Sequence, residues 1–224
     1  DVIPADTVRV LNQQGLIDTA QFRPSALSQM SNMISQMSEQ QQRMAKQLIE
    51  ASPSELKELQ ALSELNQAQV LDLAYQYSRY LAIQKKEDSK ALSRKSLSLL
   101  SARSKLSAAQ TFLALKPPSI RDDEGHRSHR IQSSFGRSHS VNHVEFGLRM
   151  AYHDWLDTLG GYIPGAQLEI AHLKVRQTLG DKSRTRLQEL RFLDIASMTP
   201  RDRFYTPLSW FVSTGFKRPD SAPE

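Results

Sequence analysis

Two hydrophobic periods divide this chain. From Ser25 onward, Leu27, Met30, Ile34, Met37, Met44 and Leu48 recur at alternating spacings of three and four, with Gln41 in the one missing place. That pattern predicts one helical seam about three heptads long, which needs a partner from this chain or another subunit. Ser52-Pro53-Ser54-Glu55 has the form of a capping box with proline at the first helical position. A short helix bearing Leu56, Leu59, Leu62 and Leu65 is expected to follow. Asn66 is placed to cap the next helix, with Val70, Leu73, Tyr77 and Leu81 inside and Lys85-Lys86 near its end. Asp88 or Ser89 starts another, with Leu92, Ser96, Leu99, Arg103 and Leu106 on one stripe. Short connections favour antiparallel neighbours, so residues 25–115 read as a helical bundle. Ahead of it, Asp1 to Leu11 suits a short helix, with Pro4 near its first turn and Gly15 as the stop, and residues 1–24 are expected to be the tail of a preceding domain.

Lys116-Pro117-Pro118 ends helical structure, because proline lacks a backbone donor and blocks the helical region before it. Residues 116–129 read as a linker. Beyond them the period is two. Val144, Phe146, Leu148, Met150 and Tyr152 alternate with His143, Glu145, Gly147, Arg149 and Ala151. Leu208, Trp210, Val212, Thr214 and Phe216 alternate with Ser209, Phe211, Ser213 and Gly215. Gln167–Thr178 and Arg186–Ile195 flank a Gly180-Asp181 turn, and Arg130–Arg137 is a weaker first strand. On the strand from Gln167, Leu168 and Ile170 share a face with His172, Lys174 and Arg176, which predicts either a bulge or a segment projecting beyond a membrane. The fold class is therefore α+β: an N-terminal helical bundle, then long antiparallel strands over 130–224 forming part of a β-barrel or curved sheet. Five strands would also suffice for a small barrel of the oligonucleotide-binding type.

Composition narrows the chemistry. The 224 residues carry 29 Lys+Arg against 24 Asp+Glu, and the small excess is shared by both halves, which weakens a nucleic-acid reading. There is no cysteine, so disulfides, thiolate metal sites and a cysteine nucleophile are excluded. No apolar run is long enough for a membrane-spanning helix, a test that says nothing about a transmembrane β-barrel. Asp1 in place of Met, with no signal-peptide pattern after it, suggests a processed or excised segment.

All six histidines lie between His126 and His172. His126 and His129, close to Asp122, Asp123 and Glu124, are the candidates for a metal, but spacing in a loop does not establish convergence, and the expectation is no metal and no cofactor. His153, Asp154 and Asp157 could form an acid/base group, yet no nucleophile elbow accompanies them, and a turn held by aspartates beside Tyr152 and Trp155 is the plainer account. Pro200, Arg201, Asp202 and Arg203 read as a charged turn between strands. Arg130, Arg137, Arg149, Lys174, Arg176, Arg184, Arg186 and Arg191 could contact phosphates, but Phe146 and Tyr152 fall on the face opposite Arg149, against stacking of single-stranded nucleic acid. The same alternation suits an outer-membrane barrel, with apolar residues toward lipid and polar ones toward the lumen.

Several stretches resemble bacterial envelope proteins of the family called Lnb N-terminal periplasmic domain-containing proteins. They include Val2–Leu11, Leu71–Tyr80, Ser96–Leu106, Glu124–Arg130, Ala151–Asp154, Gly161–Glu169, Asp194–Phe204 and Pro207–Trp210. The Tyr152-His153-Asp154, Gly161-Tyr-Ile-Pro-Gly165 and Pro200-Arg201-Asp202-Arg203-Phe204 blocks are the most specific, and Leu27–Ile49 matches least. The resemblance implies that this chain starts just after a papain-like periplasmic domain with a Cys–His pair, comprises the helical region that follows that domain, and ends part way through an outer-membrane barrel. No catalytic residue carries over. His126, Tyr152, His153, Asp154, Pro200, Arg201, Asp202 and Arg203 are motif positions without an implied role. The expected location is the periplasm and outer membrane of a Gram-negative bacterium. The expected partners are outer-membrane lipid, the preceding catalytic domain of the same parent and, through the Met-rich helix, a helix partner or second copy. The expected job is to anchor that papain-like domain, whose activity would be lipid or lipoprotein acyl transfer or hydrolysis. The alternative is a soluble module recognising nucleic acid or peptide.

Overall fold

A computed structural model of the chain describes residues 4–84, 88–108, 110–138, 140–181 and 183–219. It contains six helices, α1 (Pro4–Gln13), α2 (Ala26–Ser35), α3 (Glu39–Gln47), α4 (Lys57–Gln60), α5 (Glu64–Gln84) and α6 (Ser89–Arg103). Five strands follow, β1 (Arg130–Ser138), β2 (Val141–His153), β3 (Ala166–Thr178), β4 (Thr185–Ser197) and β5 (Trp210–Lys217). The fold is α+β. The chain divides into two units: Thr19–Pro117 with Asp202–Tyr205, and Asp1–Asp18 with Pro118–Arg201 and Thr206–Glu224. No helix among the described residues is long and apolar enough to cross a membrane.

In the helical unit, the single seam expected from Leu27 to Leu48 is two helices. The break is at Ser38, whose hydroxyl accepts from the Gln41 N–H at 3.3 Å while its own N–H donates to Gln41 Oε1 at 2.8 Å. That reciprocal capping box supplies two orphan donors and starts a new helix inside a continuous heptad pattern. The seam is still core: Met30, Met37, Met44 and Leu48 are buried, packed with Val70, Leu73 and Tyr77 of α5. The partner that the methionines need is therefore in the same chain. At Ser52–Glu55 only half the expected box forms, Ser52 N–H donating to Glu55 Oε2 at 2.9 Å, and the helix after it is the single turn α4. Ser63, not Asn66, stands before α5, accepting from the Asn66 N–H at 3.4 Å. Lys85 and Lys86 lie outside the described residues.

Helix α5 is the centre of this unit because it is apolar on two stripes. Val70, Leu73 and Tyr77 form one, Leu71, Ala74 and Ser78 the other, and all are buried. Burial of each leucine contributes about 2 kcal/mol. Arg103 closes the end of α6, pairing with Asp72 at 3.0 Å and donating to the carbonyl of Ala108 at 2.5 Å. The Pro200–Phe204 block also finds its role here. Asp202 Oδ1 accepts from the N–H groups of Phe204 and Tyr205, each at 2.7 Å, and the resulting turn presents both aromatics to the core. Phe204 meets Tyr77 edge-on at 5.0 Å, Tyr205 meets Tyr80 at 5.1 Å, and the Tyr205 hydroxyl donates to Met30 Sδ at 3.1 Å.

The other unit is an antiparallel meander in the order β1-β2-β3-β4-β5. β1 does not pair with β5 among the described residues, so the small closed barrel is not formed. Helix α1 belongs to this unit, Arg9 Nε donating to the Asp123 carbonyl at 3.0 Å. Residues directly opposite in a ladder share a face. One cross-strand row is Ile131, Leu148, Leu173, Leu190 and Phe216, apolar throughout. The adjacent row on the other face is Arg130, Arg149, His172, Arg191 and Gly215. The strand from Gln167 is irregular at Ala171, which has φ +53° and no ladder partner, and buried Gln167 and Glu169 share the covered face with His172; the pairing register is unchanged across Ala171 and shifts instead between Lys174 and Val175.

The sheet is inverted relative to a water-soluble one. Its charged face is covered, with Arg149 2% exposed, Glu169 3% and Asp194 4%. Its apolar face is open, with Phe146 58% exposed, Phe216 67% and Ile131 84%.

Candidate functional site

A row of basic residues side by side repels itself, so the covered face depends on carboxylates from adjacent positions. Arg191 Nη1 lies 2.5 Å from Glu169 Oε2 and 2.9 Å from Asp194 Oδ2, and its Nη2 contacts Glu189. Lys174 pairs with the same Glu189 at 3.7 Å, and Arg176 pairs with Glu145 at 2.6 Å. Arg149 Nη1 lies 3.1 Å from Asp154 Oδ2, 2.5 Å from Asp157 Oδ2 and 3.9 Å from Glu169 Oε1. Arg130 spans Asp154 and Asp157 at 2.5 and 3.0 Å. Arg130, Arg149, Lys174, Arg176 and Arg191 are thus committed to carboxylates within the sheet, in place of the phosphate contacts first suggested for them.

Where β2 ends, this network meets three aromatic rings. The turn after His153 is built by its aspartates: Asp154 Oδ1 accepts from the N–H groups of Leu156 at 2.8 Å and Asp157 at 3.1 Å, and Asp157 Oδ2 accepts from the Asp154 N–H at 3.0 Å. A loop before β1 brings His126 alongside, its Nε2 2.8 Å from His153 Nδ1. Tyr162 stacks on both imidazoles at 4.3 Å, within 17° of parallel to each, and its hydroxyl donates to the His126 carbonyl at 2.9 Å. The two loops meet at Gly125 and Gly161. Gly161 has φ +80°, and a Cβ there would lie 2.8 Å from the Gly125 Cα, an approach only glycine permits.

The protonation pattern follows from the partners. His126 Nδ1 lies 2.8 Å from the Arg127 carbonyl and must carry a proton to bond it. In the neutral ring Nε2 is then an acceptor, so His153 Nδ1–H donates to it. Burial, with the neighbouring His126 second, holds the His153 pKa below its usual value. Burial alone would raise Asp154, but the Arg130 hydrogen bond, the Leu156 N–H and the Arg130 and Arg149 charges win and hold it at about 2. Asp157 is lowered against the same burial cost by Arg149 and the Asp154 N–H. Tyr162 is raised by burial.

Of the motif residues singled out above, the structure brings His126, His153 and Asp154 together and places half-buried Tyr152 beside them, lining a cavity of about 370 Å³ with His153, Tyr162 and Arg9. His129 is exposed and stands outside the cluster, so the pair predicted from spacing is replaced by His126 with His153. Pro200 and Arg201 are exposed, Asp202 is the turn cap already described, and the Arg203 carbonyl accepts from Lys46 at 2.9 Å. His139 lies outside the described residues. Tyr162 and Glu169 had no role in the sequence reading. Both stand in the Gly161–Glu169 block, where the backbone spacing of glycines hints at a close approach but does not say to what.

A pH dependence follows. His153 titrates below its unfolded value of 6.5, so the unfolded chain binds its proton first and stability falls as pH drops through 6.5 toward the folded value. Asp154 works lower: its contribution is complete above 3.8 and is lost as pH falls to about 2. Thermal melts should therefore lose ground in two steps, the first already present at about pH 5. A flat profile from neutral pH down to about pH 5 would contradict a buried neutral His153.

Residues 119–224 match a family model described as Domain of unknown function (DUF7840), and residues 20–115 match one described as Domain of unknown function (DUF7842). The two matches meet at the Pro117-Pro118 boundary that also divides the described fold. No curated protein and no solved structure matches the chain.

Proposed function

We propose that the sheet unit is part of the wall of an outer-membrane β-barrel and that the helical unit is a periplasmic module attached to it. The chain would then be a non-catalytic anchor for a neighbouring papain-like domain, as the resemblance to Lnb N-terminal periplasmic domain-containing proteins implies. The observation that carries this reading is the inverted sheet. Five meandering strands of 8–13 residues present an open apolar face, and across β2, β3 and β4 the opposite, charged face is covered. In water this orientation leaves a large apolar area exposed; in lipid it is the favoured one. The ends of the strands add support. Trp155 and Trp210, about half exposed, sit at the same end of the sheet, beside exposed Leu156, Ile163 and Leu208, as an interfacial aromatic belt requires.

This chain has no cysteine, so single cysteines report cleanly once the cysteine of the proposed preceding domain is replaced by serine. Cysteines replacing Phe146, Leu173 or Phe216 should resist a membrane-impermeant maleimide in envelope fractions and react after detergent extraction. One replacing Asp181, in the β3–β4 turn at the opposite end from Trp155 and Trp210, should react in intact cells if the helical module is periplasmic. Free labelling of the apolar-face positions, or recovery of the natural gene product in the soluble fraction, would overturn the barrel reading. Labelling of Asp181→Cys only after the outer membrane is breached would overturn the periplasmic placement.

A further inference from the structure

We infer that His126, His153 and Asp157 form a binding site for a borderline divalent transition-metal ion of the zinc class, independently of whether the sheet lies in a membrane. The three candidate ligand atoms are His126 Nε2, His153 Nδ1 and Asp157 Oδ2. They form a triangle with sides of 2.8, 3.7 and 3.9 Å. The point equidistant from three such corners lies about 2 Å from each, the length of a zinc–nitrogen or zinc–carboxylate bond. Two histidines and one carboxylate is also the donor set that such ions take, with a further position left for water or a substrate oxygen.

Several features that a bare histidine pair does not need fit this site. The Nδ1–H of His126 is held by the Arg127 carbonyl, which fixes the tautomer that leaves Nε2 as a ligand. The two imidazole planes are within 24° of parallel and the facing nitrogens lie 2.8 Å apart, so both ring edges border one gap. Tyr162 covers the faces of the rings, where a metal does not bind, and leaves their edges available. Asp157 is oriented by Arg130 through its other oxygen, Oδ1.

A metal and the His153 Nδ1 proton compete for this gap. On binding, that proton moves to Nε2, an atom with no hydrogen-bond partner among the described residues. His153 lines the cavity of about 370 Å³, which has room for a water to receive it. The neutral rings need lose no net proton. Against the ion stand Arg149, which shares Asp157 Oδ2, and Arg130, so the affinity expected is micromolar and not the far tighter value of an unopposed structural site.

The test is calorimetric titration of the metal-stripped full chain with zinc ion alone, in detergent micelles if the chain requires them. Nitrogen NMR of the histidine rings is recorded on the same sample. One zinc per chain is expected, with the ring signals of His126 Nε2 and His153 Nδ1 shifting together. H126Q, which keeps a hydrogen-bonding group there, should weaken binding at least about tenfold, and exposed H129Q should leave it unchanged. Absence of binding at about one hundred times the expected micromolar constant would overturn the site. So would binding that survives H126Q or shifts only exposed histidines. If H126Q does not fold, the ring signals of the unaltered chain decide alone.

Discussion

Replacing Arg149 by leucine is expected to destabilise the sheet unit by about 3–5 kcal/mol, because it strips a buried cation from carboxylates that stay behind. Arg149 is 2% exposed and reaches Asp154, Asp157 and Glu169. Its removal also relieves repulsion within the Arg130–Arg149–His172–Arg191 row. That relief is about 1 kcal/mol at most, so the unpaired carboxylates decide the sign. Lysine should rescue only in part, since a single ammonium cannot replace the planar fork. The double variant Arg149→Leu with Asp157→Asn should recover much of the loss, a coupling that a double-mutant cycle reads directly. Urea unfolding of the unaltered chain, Arg149→Leu, Arg149→Lys, Asp157→Asn and the double variant under one condition is the measurement. A loss below about 1 kcal/mol would mean that water, not Arg149, solvates these acids.

Periodicity made the architecture legible because burial repeats at short range. The switch from the Leu27–Leu48 spacing to the Val144–Tyr152 alternation separates helices from strands, and one division between the two units falls at Pro117-Pro118, with Asp1–Asp18 and Asp202–Tyr205 crossing it. What the period could not show was local competition. Ser38 and Gln41 occupy unremarkable positions in a seam, yet their reciprocal hydrogen bonds divide it into two helices. Ala171 gives no sign of a left-handed residue, but in an unbroken alternation Glu169 and His172, both buried, would fall on opposite faces. The site was half legible. Sequence distance drew attention to His126 with His129, whereas contact pairs His126 with His153, twenty-seven positions away, through a glycine approach visible only in three dimensions. The Pro200–Phe204 block showed its charges first, and its weight lies in the two aromatics that follow Asp202.

Phe146→Arg is expected to separate a lipid-facing sheet from a water-facing one by magnitude. Phe146 stands mid-strand on the open face, opposite Ser133 on one side and Val175 on the other. If that face meets hydrocarbon, arginine there costs about 2–4 kcal/mol, because the charge must be buried or drag water inward. If it meets water, the change removes some contact area and costs about 0.5 kcal/mol. Depth supplies the internal control. Leu208, exposed beyond the end of β5, should accept arginine for about 0–1 kcal/mol in either environment. Unfolding from lipid vesicles would therefore give a gradient that peaks at mid-strand and vanishes toward Leu208. A face covered by another protein would behave differently: arginine would be costly wherever the partner packs, and the cost would disappear on dilution, since association depends on concentration and a lipid surface in excess does not. A uniform small cost at all positions would leave the open apolar face in water, and the inverted sheet would then need a cause other than a membrane.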